Sequence, residues 1–148
     1  MQKITLILIT FLAITSCTKK SDNNAANSIN NTPTLSVIGE SMQFDKTELT
    51  VKAGEKVTLI FKNPSTTLEH NWLLTQKGKE NDIGLAGIKV GKAKQFVPDD
   101  PAVLAHTRLV EPGGQDTITF TAPPAGDYPY ICTNAGHHMV MKGILHSK

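Results

Sequence analysis

Residues 132–141 concentrate metal-binding side chains, reading Cys-Thr-Asn-Ala-Gly-His-His-Met-Val-Met. The spacing Cys132-x4-His137-x3-Met141 places a thiolate, an imidazole and a thioether on one short segment, and His70 offers a second imidazole upstream. Two His, one Cys and a weakly held Met are the donors of blue-copper electron-transfer sites, and no other common metal site combines them. We therefore expect one copper ion, cycling between Cu(I) and Cu(II), at these four residues.

The elements that would position these ligands are predicted to be β-strands. Short β-branched and apolar runs alternate with Gly, Pro and Asn turns, which is typical of a sandwich or barrel. A Gly- and Lys-rich stretch, residues 76–102, interrupts the pattern, and we expect a short helix within 80–95. The predicted strands cover residues 34–38, 48–51, 56–61, 71–74, 107–110, 116–120, 126–131 and 142–146.

The first 33 residues have a different composition from the rest of the chain. A basic start, an apolar run over residues 4–14 and small residues before Cys17 are typical of a secretory signal. The run ending in Cys17 resembles the lipobox of bacterial lipoproteins, which implies cleavage after residue 16 and lipid on Cys17; a plain signal peptide is the alternative. We expect a lipoprotein signal peptide at 1–16, a lipidated Cys and flexible tether at 17–33 and one globular domain at 34–148.

Four motifs in the globular part are similar to those of a known family. Residues 70–72 read His-Asn-Trp, and residues 132–143 contain Cys-Thr-x-x-Gly-His-x-x-x-Met-Lys-Gly. Residues 98–100 read Pro-Asp-Asp, and residues 117–120 read Thr-Ile-Thr-Phe. These motifs resemble azurins and the related auracyanins, both small cupredoxins. The resemblance implies an all-β fold, a cupredoxin Greek-key β-sandwich or barrel with a short helical insertion, and a blue-copper electron carrier.

The resemblance also implies a role for each residue of the site. His70, Cys132 and His137 would be the in-plane ligands and Met141 the axial ligand. Asn71 would hydrogen-bond across to the Cys132 loop, and the backbone N–H groups of Asn71 and Asn134 would donate to the Cys132 sulfur. The Glu69 carbonyl would be a weak axial contact. Azurins carry Gly where this chain has Glu69, and usually Phe where it has Asn134, so the reduction potential need not match theirs.

Other potential ligands receive a less specific interpretation. Met139 is a second thioether in the loop, but its distance from His137 along the chain does not fit the resemblance. His106, His138 and His146 are interpreted as structural or solvated histidines. Because Cys17 is assigned to lipid and Cys132 to metal, we expect no disulfide.

The predicted function is electron transfer without catalysis, because four protein donors leave copper no position for a substrate. A copper oxidoreductase would need further His ligands, and five His with no His-x-His cluster do not supply a second site. A copper carrier or chaperone remains an alternative, although only four Met are present. Expected partners are redox proteins such as c-type cytochromes or terminal oxidases and reductases, on the exported side of a membrane that holds the lipid anchor. The net charge of +2 and the absence of a basic stripe argue against nucleic acid.

Overall fold

The structure is a computed structural model that describes residues 28–148. Cys17, the predicted signal peptide and most of the predicted tether lie outside the described residues. The described strands and the α-helix are β1 Thr34–Ser36, β2 Glu48–Val51, β3 Lys56–Lys62, β4 Leu73–Thr75, α1 Glu80–Val90, β5 Val103–His106, β6 Gln115–Thr121, β7 Gly126–Ile131 and β8 Lys142–Ser147. Short 3₁₀ segments cover Lys92–Lys94 and Asn134–Met139.

Two sheets pack into a β-sandwich, which confirms the predicted fold class. One sheet has the order β1-β3-β6 and the other the order β2-β8-β7-β4-β5. β1 pairs in parallel with β3 and β2 in parallel with β8, while the remaining pairs are antiparallel. The loop that carries three predicted ligands joins β7 to β8, two neighbouring strands in the larger sheet. Paired strands on both sides of a loop fix the positions of its ends, which is what a rigid metal site requires.

The core lies between the sheets and extends to the predicted site. Alternate residues of β3 point inward, so Val57, Leu59 and Phe61 are buried while their neighbours are more exposed. Trp72 is fully buried and packs its ring against Tyr130. Cys132 and Met141 belong to the same buried cluster, so the thiol and the thioether lie within the core.

One predicted strand is wrong. The structure has a strand at Val103–His106 rather than at residues 107–110, which make only an isolated bridge between Val110 and His70. The amide of Arg108 donates to Asp116 Oδ2 and that of Leu109 to Gln95 Oε1. Side chains therefore bind these amides in place of a neighbouring strand, and residue composition alone does not reveal such partners.

The predicted helix within 80–95 is confirmed as α1, which ends where Gly91 adopts a φ of 67° and donates its N–H to the Gly87 carbonyl.

Residues 28–33 belong to the predicted tether, yet the Asn30 amide donates to the Thr50 carbonyl, and the carbonyls of Asn31 and Pro33 accept from β3 amides. Within residues 28–148, no helix is long and apolar enough to span a bilayer.

Candidate metal centre

Three predicted ligands converge in the interior of the protein. One donor atom from each of His70, Cys132 and His137 lies within 4.8 Å of the other two, and all three residues are buried. Cys132 Sγ is 3.7 Å from His70 Nδ1 and 3.5 Å from His137 Nδ1. The two Nδ1 atoms and the sulfur therefore face a common point, although 62 residues separate His70 from Cys132 along the chain.

The loop between β7 and β8 folds back on itself through backbone hydrogen bonds. Cys132 N–H donates to the Met141 carbonyl at 3.1 Å, and the amides of Val140 and Met141 both donate to the His137 carbonyl. Gly136 has a φ of 88°, a conformation that glycine adopts without steric cost. These contacts place Met141, which is fully buried, beside Cys132 in the backbone ladder.

His70 is held by the segment that precedes it and by Val110. Its backbone exchanges two hydrogen bonds with Val110, at 3.0 and 2.7 Å. Asn63 Nδ2 donates to the carbonyls of Leu68, Val110 and Glu111, which ties this segment to the Val110 turn. The backbone at His70 is thus fixed from both sides.

Glu40 organises the turn at residues 65–67, just before this segment. Its carboxylate accepts hydrogen bonds from the hydroxyls of Ser65, Thr66 and Thr67 and from the Thr66 amide. The Thr66 amide, followed by the Thr67 and Ser65 hydroxyls, lowers the pKa of Glu40 to about 2. Glu40 therefore stays ionised at neutral pH. Its role was not predicted from the sequence, because only the fold brings Glu40 close to residues 65–67.

Asn71 and Thr133 connect the two ligand-bearing segments directly. Asn71 Oδ1 accepts from the Thr133 amide at 2.8 Å, and Asn71 Nδ2 donates to Thr133 Oγ1 at 2.9 Å and to the Gln95 carbonyl at 3.0 Å. Thr133 Oγ1 also approaches the Phe96 carbonyl at 2.7 Å. Each of the paired residues follows a candidate ligand, His70 or Cys132. A bond from Asn71 to the Cys132 loop was predicted from the resemblance, but Thr133 was not named as its partner, although it stands in the Cys-Thr motif.

Asn134 and Glu69, the two departures from the azurin pattern, contact each other. Asn134 Nδ2 donates to the Glu69 carbonyl at 2.6 Å. The Glu69 carboxylate forms an ion pair with Lys92 Nζ at 2.6 Å. Neither the amide donor nor the lysine partner was predicted, because residues 69, 92 and 134 are far apart in the sequence.

Burial and hydrogen bonding set the charge state of the donors. Burial lowers the pKa of His70 to about 4, and the charge of His137 adds to this effect. Burial also lowers the pKa of His137. Burial raises the pKa of the Cys132 thiol to about 11, against hydrogen bonds from the backbone N–H groups of Asn71 and Asn134. Both imidazoles are therefore neutral near pH 7, which leaves one nitrogen of each ring with a lone pair that can bind a metal ion.

The donor chemistry fits copper. Two imidazoles, a thiolate and a thioether are the set that blue-copper sites use, whereas Mg²⁺ and Ca²⁺ take oxygen ligands. Burial disfavours the thiolate form of Cys132, but a bound metal ion would offset this effect because a coordinating thiol is deprotonated. His70, Cys132 and His137 are thus arranged as a copper site.

The other histidines and methionines lie apart from this cluster. Met139 is 71% exposed, so its side chain points to solvent while Met141 is fully buried. His138 is buried but packs toward α1, and His146 pairs with Asp127 on the surface. His106 is exposed and places Nδ1 3.1 Å from the Thr107 carbonyl.

His137 is the candidate ligand nearest to solvent. It is 8% exposed, whereas His70 and Cys132 are fully covered. Met139 and Val140, which follow it in the loop, are 71% and 60% exposed. An apolar surface therefore lies beside the ring that connects the site to the exterior.

The sequence matches a family and several characterised relatives. A sequence model described as copper binding proteins, plastocyanin/azurin family, matches residues 32–147. Auracyanin-A of Chloroflexus aurantiacus is 44% identical over 110 residues, covering 72% of this chain and 68% of the relative. Azurin-1 of Alcaligenes xylosoxydans xylosoxydans is 38% identical over 118 residues, covering 72% and 89%.

Solved structures of auracyanins are also similar to this chain. Reduced auracyanin from Roseiflexus castenholzii aligns with a TM-score of 0.78 and 34% identity, over 82% of this chain and 99% of that one. Auracyanin A, a "blue" copper protein from Chloroflexus aurantiacus, aligns with a TM-score of 0.76 and 42% identity, over 79% and 98%.

Proposed function

This chain belongs to the plastocyanin/azurin family of copper-binding proteins and is a blue copper protein that carries electrons, and from that premise we propose which of its residues perform the transfer. The proposed ligands of its single copper ion are His70, Cys132, His137 and Met141. The observation that supports this set best is the convergence of three buried donor atoms within 4.8 Å.

Copper, when bound, supplies one-electron chemistry between Cu(I) and Cu(II). The protein keeps the donors in one arrangement for both oxidation states. Asn71 and Thr133 hold the two ligand-bearing segments together. The backbone N–H groups of Asn71 and Asn134 donate to the Cys132 sulfur. Hydrogen bonds to a thiolate favour the state in which it carries more negative charge, so they stabilise the reduced form.

Met141 is the proposed fourth, weaker donor. It is fully buried in the cluster that contains Cys132, and its amide and carbonyl bond to His137 and Cys132. Met139 is exposed and does not compete for this role. The Glu69 carbonyl would be a further, weak contact to the metal ion, and Asn134 Nδ2 donates to one of its two lone pairs.

Electrons enter and leave through the His137 edge in this proposal. His137 is 8% exposed, and the resemblance implies that Leu68, Gly136, Met139 and Val140 form a small apolar surface around its ring. A small contact area suits a redox encounter that forms and dissociates quickly. The partners proposed are c-type cytochromes or terminal oxidases and reductases.

Two other functions are less well supported. An enzyme would need an open metal position, whereas the four proposed protein donors leave none for a substrate. A copper chaperone would need exposed, exchangeable donors, whereas His70, Cys132 and Met141 are completely buried.

Copper loading of a Cys132→Ser variant tests the ligand assignment. Because the thiolate-to-copper transition gives the intense visible band, we expect the variant to lose that band while keeping its far-UV circular dichroism. A Cys17→Ser variant serves as the matched control and retains the band. A Cys132→Ser protein that stays blue would contradict the assignment.

The protein is proposed to be exported and held at a membrane by lipid on Cys17. Each buried CH₂ of an acyl chain contributes about 0.8 kcal/mol, so two or three chains give stable anchoring. We expect the Cys17→Ser protein to move from the membrane fraction to the soluble fraction, with blue colour unchanged. Continued membrane association of that variant would contradict lipid anchoring.

A further inference from the structure

Two glycines of helix α1 lie against the loop that carries the copper ligands. A Cβ built on Gly84 would come within 2.2 Å of the His138 ring, and a Cβ on Gly87 would come within 2.9 Å of Thr133 Cβ and 2.7 Å of the Phe96 carbonyl. Real Cβ atoms do not approach neighbours this closely. Only glycine therefore allows the helix to reach its observed position.

The two glycines contact the residues that follow two of the proposed ligands. Gly84 and Gly87 are three residues apart and therefore share one helix face. Their partners are Thr133, which follows Cys132, and His138, which follows His137. One helix face thus meets the loop at the residue next to each of two ligands.

Packing holds His138 in this place. The residue is 6% exposed, and its Nδ1 is buried without a hydrogen-bond partner among the described residues. A buried polar atom left unpaired is destabilising, so hydrogen bonding at Nδ1 does not explain why the ring is there. The flat ring fits against the helix where Gly84 has no side chain.

Thr133 is held from several directions. Its amide donates to Asn71 Oδ1, and its hydroxyl donates to the Phe96 carbonyl at 2.7 Å. The same carbonyl faces Gly87. Gln95 and Phe96 have φ values of 55° and 57°, a strained conformation for residues other than glycine. The contacts around Gly87, Thr133 and Asn71 keep this strained segment against the ligand loop.

We propose that helix α1 is a positioning element for the copper ligands, acting through the contact of Gly84 with His138 and the contact of Gly87 with Thr133. Glycine inside a helix is destabilising relative to alanine, and the closer approach of the helix to the loop offsets this loss. The helix limits movement of Cys132 and His137 when the oxidation state changes. This inference rests on the copper site proposed above.

The test is a double-mutant cycle of Gly84→Ala and His138→Ala. The Gly84→Ala methyl group displaces the ring, so it shifts the visible band and the reduction potential and slows electron self-exchange severalfold. In the His138→Ala background the same methyl group enters vacated space, so Gly84→Ala leaves the band and potential of that background unchanged and raises its Tm through helix propensity. Equal shifts in both backgrounds, or no shift in either, would overturn the proposal.

A second measurement uses the metal-free protein. The amides of Val140 and Met141 donate to the His137 carbonyl, so their hydrogen exchange reports on the ligand loop. His138→Ala, which adds no bulk, is expected to speed exchange at these amides at least tenfold. Unchanged exchange at both amides would overturn the proposal even if Gly84→Ala failed to fold.

Leu85→Gly is the matched control. Leu85 is 55% exposed on the same helix, so this change weakens the helix without adding a contact to the loop. We expect a lower Tm with the wild-type band and potential. A control that shifts them as much as Gly84→Ala would show that helix stability, not the glycine contacts, governs the site. A wild-type protein that takes up copper without a blue band would contradict the proposed function instead.

Discussion

Asn134 is one of the two residues at which this site departs from the azurin pattern. It acts twice, because its backbone N–H bonds to the Cys132 sulfur and its side-chain amide donates to the Glu69 carbonyl at 2.6 Å. The first contact survives most substitutions, while the second depends on the amide. The two contacts can therefore be separated by mutation.

We expect Asn134→Phe to change the reduction potential and retain the blue colour. The variant keeps the backbone donor to the sulfur but frees the Glu69 carbonyl, and losing that hydrogen bond lowers stability by about 1 kcal/mol. Spectroelectrochemistry and urea denaturation measure the two effects. Asn81→Phe, the same change at an exposed position of α1, is the control and leaves the potential unaltered. An unchanged potential in Asn134→Phe would end the tuning hypothesis.

At single positions, donor identity and the backbone N–H donors to the Cys132 sulfur were predictable, whereas the side-chain partners of Glu69 and Asn134 were not. Cys132, His137 and Met141 were recognised because their side-chain chemistry and spacing are informative within one short segment. The ion pair of Glu69 with Lys92 and the bond of Thr133 to Asn71 join segments that only folding brings together.

Among the elements, the turn at residues 65–67 depends on one carboxylate. Glu40 accepts four hydrogen bonds there, and they lower its pKa from 4.5 to about 2. A carboxyl group with a lower pKa in the folded state adds stability that is complete above about pH 4.5 and is lost as the pH falls toward 2. The turn before His70 therefore has an acid-sensitive contact.

We expect Glu40→Gln to lower the urea midpoint at pH 7 and to have little effect near pH 2. The neutral amide accepts fewer of these hydrogen bonds at high pH, whereas at low pH the native carboxyl group is also neutral. Denaturation curves at several pH values measure the difference. Asp99→Asn, at an exposed position without a hydrogen bond within residues 28–148, provides the comparison. A constant difference across the pH range would refute this prediction.

Most elements followed from the sequence because their apolar residues repeat with a clear period. β3 shows strict alternation, and Gly91 marks the end of α1. The strand predicted at 107–110 was wrong because β-rich composition does not say whether a neighbouring strand or a side chain binds the amides. The glycines inside α1 weaken its helical pattern, and their purpose is visible only in the packed structure.

For the molecule as a whole, the framework that holds the ligands consists of backbone ladders and buried amide contacts. Strands β7 and β8 flank the ligand loop, and β4 begins three residues after His70. None of these contacts requires a metal ion. The fold and the site are therefore expected to persist when copper is removed.

We expect the copper-free protein to keep its far-UV and near-UV circular dichroism and to unfold at a lower temperature. A ligand that binds only the folded state stabilises it by about 2.7 kcal/mol at 100 times its Kd. Scanning calorimetry with and without copper measures the shift, and Cys132→Ser should show a smaller one. Loss of the near-UV signal without copper would contradict a preformed site.

The sequence by itself determined the chemistry of this protein. The identities and spacings of Cys132, His137 and Met141, with His70 upstream, predict a copper donor set, and the alternation of apolar residues predicts strands. Both follow from local patterns, because side-chain chemistry and backbone periodicity are properties of short segments.

Only the tertiary structure decided how the donors are held. The ion pair of Glu69 with Lys92, the bond of the Asn134 side-chain amide to the Glu69 carbonyl and the close approach of α1 to His138 and Thr133 all join distant segments. The physical reason is that close packing selects partners by shape and position in three dimensions, which no local pattern encodes.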